Sequence, residues 1–360
     1  MLQTKPATSE LEVSVFGPGV GECVVVHLGD GKWMVVDSCM TESGRPVALE
    51  YLSTLGVDVA ADVEAVVLTH WHDDHTRGAS DVLTACHKAS FFCSSALNKE
   101  EFFKVVTLAS AVDLRVGSGS GLDEMGRIFA LLHGRRVKQS GRTASPEYVH
   151  ANTIVFQSAG SAHAPACTVH AVSPSSASIT RGFLSIAPKV GAAKKAFANP
   201  GPNELSVAMH IQFGDVSALL GADLEVGSSD AVGWRAVVRN TRRPTSAATL
   251  VKVPHHGSEG ADHPPAWTAL VAAGAFAAVT PFSSSRIPRH SDLARIGARN
   301  LRLFHASPKP GPTVRFDAAT TRTLGDIKIR ERRGAMGHIR FRSLNGNNRY
   351  ELFGAAVAVP

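Results

Sequence analysis

The chain lacks the long apolar segments that mark membrane and secreted proteins. No part of its 360 residues approaches the roughly 18 consecutive apolar residues that a membrane-spanning helix needs. The first residues, MLQTKPATSELEVSVFG, do not place an apolar run behind a basic start, as a secretory signal would. We therefore expect a cytoplasmic protein without membrane association.

Cysteine and charge are also sparse. The five cysteines are odd in number and form no Cys-x-x-Cys pair, which predicts free thiols in a reducing compartment. Charged residues make up 19% of the chain and hydrophobic residues 44%, a balance that suits a sizeable core and excludes disorder. The net charge of +6 is compatible with an anionic substrate such as a phosphodiester, and equally with a role in solubility alone.

Short apolar runs and helical stretches alternate along the chain in two halves, separated by a Gly/Ala/Lys-rich segment at 191–202. The run VEAVVL at 63–68 is typical of a strand buried on both faces. This alternation predicts an α/β fold with strands at the centre and helices outside. We expect one main domain at 1–312, with a helical insertion at about 98–150, and a β-rich C-terminal extension at 313–360 packed on the same domain.

Metal-binding residue types are concentrated directly after VEAVVL, in the segment HWHDDH. Imidazole and carboxylate groups are the ligands that zinc and similar divalent ions prefer. The spacing lets His70 and His72 bind one ion, and Asp74 and His75 then turn toward a second. The alternative is a polar loop before a helix, in which Asp73 or Asp74 only caps the helix.

This segment matches the HxHxDH signature of the metallo-β-lactamase superfamily. Further blocks, in the same order, resemble the metallo-β-lactamase-like domain of ComEC-type DNA-uptake proteins. They are FGPGVGE at 16–22 with a hairpin ending at Asp37, NELSV at 203–207, LGAD at 220–223 and KVPHHGS at 252–258. The resemblance spans about residues 11–295.

The resemblance implies a four-layer αββα sandwich with two divalent metal ions at one edge. Asp223 would bridge the ions, and either His255 or His256 would complete the second site. We favour His255 as the ligand and place His256 near the reacting group. Zinc is the expected metal, and manganese is the alternative. The predicted metal ligands are His70, His72, Asp74, His75, Asp223 and His255.

One ligand of the family pattern is missing. Many members of the superfamily supply a third histidine to the first metal, between the HxHxDH motif and the bridging acid. Here Ser173 and Pro174 stand at the expected place, and the nearest alternatives are His163 and His170. His170 lies in a strand pattern, where a histidine is more often packed or at the surface than a ligand. We expect Asp37 to support the site through a hydrogen bond.

The resemblance further implies hydrolysis by a hydroxide that the two metal ions activate. Asp74 would orient or deprotonate it, and His256 or His290 would protonate the leaving group. We predict a phosphodiesterase or nuclease whose substrate is a nucleic acid or a nucleotide. Two alternatives stay open: hydrolysis of another ester or a lactone, and a metal-stabilised interaction module without turnover. The sequence identifies no protein partner.

Positive charges alternate with apolar residues near the C-terminus. Lys328, Arg330 and Arg332 do so in one segment, and Arg340 and Arg342 in another. On paired strands these cations would share one face, which is a candidate surface for phosphate groups. The alternative is the solvated outer face of an amphipathic sheet.

Overall fold

The structure is a computed structural model that describes residues 4–17, 21–97, 121–138, 141–186, 202–282, 285–308 and 335–360. The strands are β1 Leu11–Gly17, β2 Cys23–His27, β3 Trp33–Val36, β4 Val63–Leu68, β5 Ser90–Ser94, β6 Pro146–Val149, β7 Ile154–Ser158, β8 Cys167–Ala171, β9 Met209–Phe213, β10 Val216–Leu220, β11 Ala248–Lys252, β12 Val271–Val279, β13 Arg302–His305, β14 Gly337–Leu344, β15 Asn347–Gly354 and β16 Val357–Ala358. The α-helices are α1 Val47–Thr54, α2 Val59–Asp62, α3 Asp73–Thr76, α4 Ala79–Ala85, α5 Gly121–Lys138, α6 Ser176–Ile186, α7 Gly233–Arg239, α8 Pro264–Leu270 and α9 His290–Gly297.

Two mixed sheets form the centre of the molecule. The first has the strand order β15-β14-β1-β2-β3-β4-β5-β6, and the second has the order β16-β13-β12-β11-β10-β9-β8-β7. Strands β3 to β6 are parallel in the first sheet, and strands β10 to β13 are parallel in the second. The loops that follow parallel strands meet at one edge of a sheet, which is where α/β proteins bind ligands.

Apolar side chains divide these sheets and helices into layers. On β4, Val66 packs with α4 residues such as Leu83 on the outer face of the first sheet, whereas Val67 packs between the two sheets. A third apolar cluster covers the outer face of the second sheet, where Trp234 of α7 joins Val251 of β11. The layer order is helix, sheet, sheet, helix. The predicted α/β four-layer sandwich is confirmed, as is burial of β4 on both faces.

Two segments differ in detail from the sequence prediction. The expected helical insertion at about 98–150 contains α5, but its last part is β6, which pairs with β5 at the edge of the first sheet. Residues 98–120 and 139–140 lie outside the described residues. The expected extension at 313–360 supplies β14 between β1 and β15, and β16 beside β13. Its described part therefore completes both sheets.

Of the C-terminal cations, the two that lie in the described residues, Arg340 and Arg342, form neither of the two surfaces predicted from the sequence. The three cations at 328–332 lie outside the described residues. Arg340 and Arg342 are only 2% and 3% exposed. A guanidinium nitrogen of Arg340 lies 2.7 Å from Glu351 Oε2, and Arg342 Nε lies 2.7 Å from Glu12 Oε2. For these two arginines, the expected phosphate-binding surface and the expected solvated face are both wrong. Both side chains are buried, and their partners are carboxylates of the same sheet.

Two predictions from the sequence concern membrane-spanning helices and cysteines. In the part of the chain that the structure describes, no helix has the length and apolar character to cross a membrane. The five cysteines, predicted as free thiols, are all buried and unpaired with one another in the structure.

Candidate metal centre

Asp37 follows β3 and ties the HWHDDH loop to the first sheet. Its Oδ1 accepts a hydrogen bond from the Thr69 backbone N–H at 2.8 Å. Its Oδ2 accepts bonds from the Thr69 hydroxyl at 2.8 Å and from His75 Nδ1 at 2.7 Å. Because Nδ1 of His75 donates to this carboxylate, Nε2 is left to bind a metal ion. The predicted hydrogen-bonding role of Asp37 is confirmed.

Three residues in the loops of the second sheet adopt left-handed backbone conformations. The φ angles are 46° for Ala222, after β10, and 44° and 52° for His255 and His256, after β11. Such angles are uncommon for residues with a side chain, and they concentrate at functional sites. Here they accompany the placement of Asp223 and His256 against the loop of the first sheet.

Four buried side chains from both sheets form a compact cluster, in which one ligand atom of each lies within 4.8 Å of the others: Asp74, His75, Asp223 and His256. His75 Nε2 lies 3.5 Å from a carboxylate oxygen of Asp74 and 3.5 Å from one of Asp223. His256 Nε2 lies 3.3 Å and 3.5 Å from the same two carboxylates. We call these four residues the cluster.

The cluster contains buried polar atoms that have no hydrogen-bond partner among the described residues. They are Nε2 of His75, Nε2 of His256 and Oδ1 of Asp223. Leaving such atoms unpaired in the interior costs free energy. Two imidazoles and two carboxylates are a donor set that suits a divalent ion such as zinc. The residues present therefore fit a metal ion.

The charges around the cluster favour a cation. Burial by itself would lower the pKa of His75, yet the carboxylates of Asp223, Asp74 and Asp37 raise this pKa well above its usual value. Burial also opposes protonation of His256, but Asp223 and Asp74 raise its pKa to about 9. In turn the imidazoles lower the pKa of both Asp74 and Asp223, against the effect of burial. A metal ion would replace these protons as the positive charge between the carboxylates.

His70 and His72 lie beside the cluster. His70 Nε2 is 3.0 Å from His72 Nδ1, and the ring centroids of His70 and His75 are 4.2 Å apart. Burial lowers the pKa of both His70 and His72, so both are neutral near physiological pH and can offer a lone pair to a metal ion. The structure thus brings the ligands predicted for the first metal next to those predicted for the second.

A third histidine for His70 and His72 is not found at the expected place. The hydroxyl of Ser173 donates to the carbonyl of Ser206 at 2.7 Å and accepts from the N–H of Ala208 at 2.8 Å, so it ties neighbouring backbone segments together. His170 lies within β8 and is partly exposed, and His163 is exposed. Among the described residues, neither histidine belongs to a group of converging metal-binding atoms.

The structure favours the opposite assignment of the two neighbouring histidines from the one predicted. His256 presents Nε2 to the cluster, and its Nδ1 is 3.1 Å from the hydroxyl and 3.2 Å from the carbonyl oxygen of Thr280. His255 is 20% exposed, and its Nε2 lies 3.8 Å from Asp223 but 3.1 Å from Nδ2 of Asn203. Because both ring nitrogens of His256 are directed at other groups, His256 is poorly placed to protonate a leaving group.

His290, the other predicted proton donor, begins α9 and is exposed. It lines a cavity of about 860 Å³ together with Phe304 and Tyr350. The residues that line this cavity include no member of the cluster. A catalytic role for His290 stays a prediction.

Sequence reasoning gave no role to a buried lysine at this site. Lys252, the last residue of β11, is 1% exposed, and its Nζ lies 2.6 Å from Glu22 Oε2. Both residues belong to sequence blocks that carry the family resemblance. The signal that could have identified Lys252 is its position inside the otherwise uncharged run TLVKVP, because a buried charge needs a partner.

A comparison with protein families finds a match in the first half of the chain. The family model described as "Metallo-beta-lactamase superfamily" matches residues 16–153, which is less than half of the chain. The matched segment contains Asp37 and the HWHDDH loop but ends before Asp223 and His256. Two sheets flanked by helices are consistent with the α/β sandwich of metallo-β-lactamases. No curated protein matches the sequence significantly.

The solved structures that match this chain include three with low similarity to it. Metallo-beta-lactamase SMB-1 bound to 2-mercaptoethanesulfonate has 15% identity and a TM-score of 0.34, with 68% of this chain and 76% of that chain covered. Zn²⁺-bound PqqB from Methylobacterium extorquens has 12% identity and a TM-score of 0.39, covering 79% and 84%. Rubredoxin oxygen:oxidoreductase from Desulfovibrio gigas has 14% identity and a TM-score of 0.28, covering 65% and 46%. Values this low assign neither an activity nor a ligand to this chain.

Proposed function

We propose that the chain is a divalent-metal-dependent hydrolase that cleaves phosphodiester bonds in a nucleic acid or a nucleotide. The metal-dependent part rests on one observation, the buried cluster whose two Nε2 atoms lack a hydrogen-bond partner. A non-catalytic module would be expected to have lost some of these groups. The phosphodiester part is supported by the resemblance of the sequence blocks to ComEC-type domains, with which the net charge of +6 is compatible.

The donor groups suit two ions. We propose that the cluster would hold one ion and that His70 and His72 would hold another, with the Asp223 carboxylate available to both. Histidine and carboxylate ligands suit zinc, and manganese is the alternative. When bound, such ions lower the pKa of a water molecule and polarise the oxygen of the substrate.

The chain's own side chains contribute orientation and charge. Asp74 is buried, and the neighbouring imidazoles lower its pKa against the effect of burial, so it stays ionised and can accept a hydrogen bond from the attacking water. Contacts at Nδ1 hold the rings of His75 and His256 with Nε2 toward the cluster. His72 and His255 are partly exposed, and they lie on the side of the site that a substrate can reach.

The decisive experiment measures hydrolysis of bis-(p-nitrophenyl) phosphate in the presence of zinc or manganese. We expect turnover by the wild type and a loss of more than about 100-fold in Asp74→Ala, because removing a ligand exceeds the roughly 10- to 100-fold effect of changes outside the ligand set. The matched control is Asp81→Ala, an exposed aspartate in the first turn of α4, which should keep the wild-type rate.

The possible results separate the alternatives. Full turnover in Asp74→Ala would contradict the assignment of the site. A wild type that binds metal without cleaving this substrate would direct the search to lactones and other esters, and one that binds no metal would favour an interaction module. If the substrate is DNA or RNA, its binding should weaken steeply as salt rises, whereas binding of a small ester should not.

A further inference from the structure

A fully buried lysine at the metal site requires an explanation. Lys252 is shielded from water. Its Nζ contacts Glu22 Oε2 at 2.6 Å and donates to the carbonyl oxygen of Ala222 at 3.2 Å. It also lies 3.9 Å from Asp223 Oδ1. Burying an ammonium group is costly unless a counter-charge and hydrogen bonds compensate. These three contacts supply the compensation. The third is made with Asp223, which is a member of the cluster.

Glu22 reaches the other two loops of the cluster. Its backbone N–H donates to the carbonyl oxygen of Asp74 at 2.8 Å. Its Oε2 accepts a hydrogen bond from the hydroxyl of Thr280 at 2.5 Å. That hydroxyl in turn lies 3.1 Å from Nδ1 of His256. The pair of Glu22 and Lys252 thus contacts, directly or through one residue, the loops that carry Asp74, Asp223 and His256.

We propose that the Glu22–Lys252 ion pair is a positioning centre, which holds Asp74, Asp223 and His256 in the arrangement that binds a divalent ion. The inference shares with the proposed function only the premise that the cluster binds metal. It does not depend on which bond the protein hydrolyses.

The placement of the pair between the two sheets gives the first reason. Asp74 follows β4 of the first sheet, whereas Asp223 and His256 follow β10 and β11 of the second. Glu22 immediately precedes β2 in the first sheet, and Lys252 ends β11 in the second. A buried charge pair across this boundary fixes the distance between the two sets of ligands.

The direction of the hydrogen bonds gives the second reason. Because the Thr280 hydroxyl donates to Glu22, its oxygen is left to accept from Nδ1–H of His256. With Nδ1 held by this bond, Nε2 is the ring nitrogen of His256 that faces the cluster, where a metal ion would replace its proton. On the other side, the carbonyl oxygen of Ala222 accepts from both Lys252 Nζ and the N–H of His255. These bonds support the left-handed turn that precedes Asp223.

The test is the zinc affinity of Glu22→Gln, Lys252→Met and the double variant, measured by competition with a chromogenic chelator, together with the thermal midpoint of unfolding. Each single variant leaves a buried charge without its partner and should lower both quantities. The double variant removes both charges and should regain much of the thermal midpoint. Its zinc affinity should stay about 10- to 100-fold below that of the wild type, since the positioning contacts are still missing.

A second buried ion pair provides a matched control. Glu12 and Arg342 are separated by 2.7 Å and are as deeply buried, but they join β1 to β14 and contact Tyr51 and Ser14. The double variant Glu12→Gln/Arg342→Met should keep the wild-type zinc affinity. If the Glu22/Lys252 variants fail to fold, Thr280→Val tests the link from Glu22 to His256 by removing the hydroxyl that joins them. Thr280→Ser should restore the zinc affinity that Thr280→Val loses.

Two results would overturn the proposal. One is a zinc affinity of Glu22→Gln/Lys252→Met within about twofold of the wild type, the scatter expected for independent sites. The other is an equal loss of affinity in the Glu12/Arg342 control, which would indicate a general effect of destabilisation. A wild type that binds zinc but hydrolyses no phosphodiester would contradict only the proposed function.

Discussion

His255 and His256 are adjacent in the chain but have different surroundings. His256 is buried and its Nε2 faces two carboxylates, whereas His255 is partly exposed and contacts Asn203 and Glu225. Both residues have left-handed φ angles, and their ring planes are inclined at 61° to each other. The surroundings of each ring therefore decide which histidine is suited to bind metal.

Alanine substitutions of the two histidines test this distinction. His256→Ala should lower zinc affinity by more than about 100-fold, because it removes a ligand, whereas His255→Ala should have an effect of about tenfold or less, as expected for a residue outside the ligand set. Competition with a chromogenic chelator measures both. A larger loss in His255→Ala than in His256→Ala would restore the assignment made from the sequence.

At this scale the sequence predicts the residue types of the site better than their roles. The HWHDDH segment, Asp223 and the His-His pair all stand out, because metal-binding residue types cluster at the ends of apolar runs. The choice between His255 and His256 depends on two consecutive backbone angles that no local pattern encodes. The role of Lys252 is hidden for a related reason, since its partner Glu22 lies far away in the sequence.

Strand β14 shows how an element acquires its role from its neighbours. It lies between β1 and β15, and Ile339 and Phe341 pack between the two sheets. Arg340 and Arg342 alternate with them and lie on the other face of the sheet. There Tyr51 of α1 lies near the Arg340 guanidinium. The alternation is visible in the sequence. The cover provided by α1 is not, and it turns an expected solvated face into a buried one.

Breaking the buried pair on β14 should destabilise the fold strongly. Arg342→Met leaves the Glu12 carboxylate buried without a counter-charge, and we expect a loss of about 3–5 kcal/mol in the free energy of unfolding. Urea denaturation measures it. The control is Arg239→Met on α7, whose partner Asp230 is exposed and whose loss should cost less than about 1 kcal/mol. Equal effects of the two substitutions would show that the β14 pair contributes no more than a surface contact.

At the scale of the whole molecule, local patterns predict the layers but not all of the strand order. Four apolar runs predict strands with the bounds that the structure shows: Cys23–His27, Trp33–Val36, Val63–Leu68 and Val216–Leu220. Each is short, rich in β-branched or other apolar residues and bounded by turns or polar residues. By contrast, the pairing of β1 with β14 joins Leu11 to Ser343. A contact between the two ends of the chain leaves no signal within either segment.

The two sheets meet where the cluster lies, so the fold and the metal site depend on the same arrangement. Asp74 and His75 come from the first sheet, and Asp223 and His256 from the second. Anomalous X-ray diffraction at the zinc edge, on crystals grown with zinc, locates a bound ion directly. We predict a peak among these four side chains. The absence of a peak there, or peaks at other sites only, would contradict the assignment of the cluster as a metal centre.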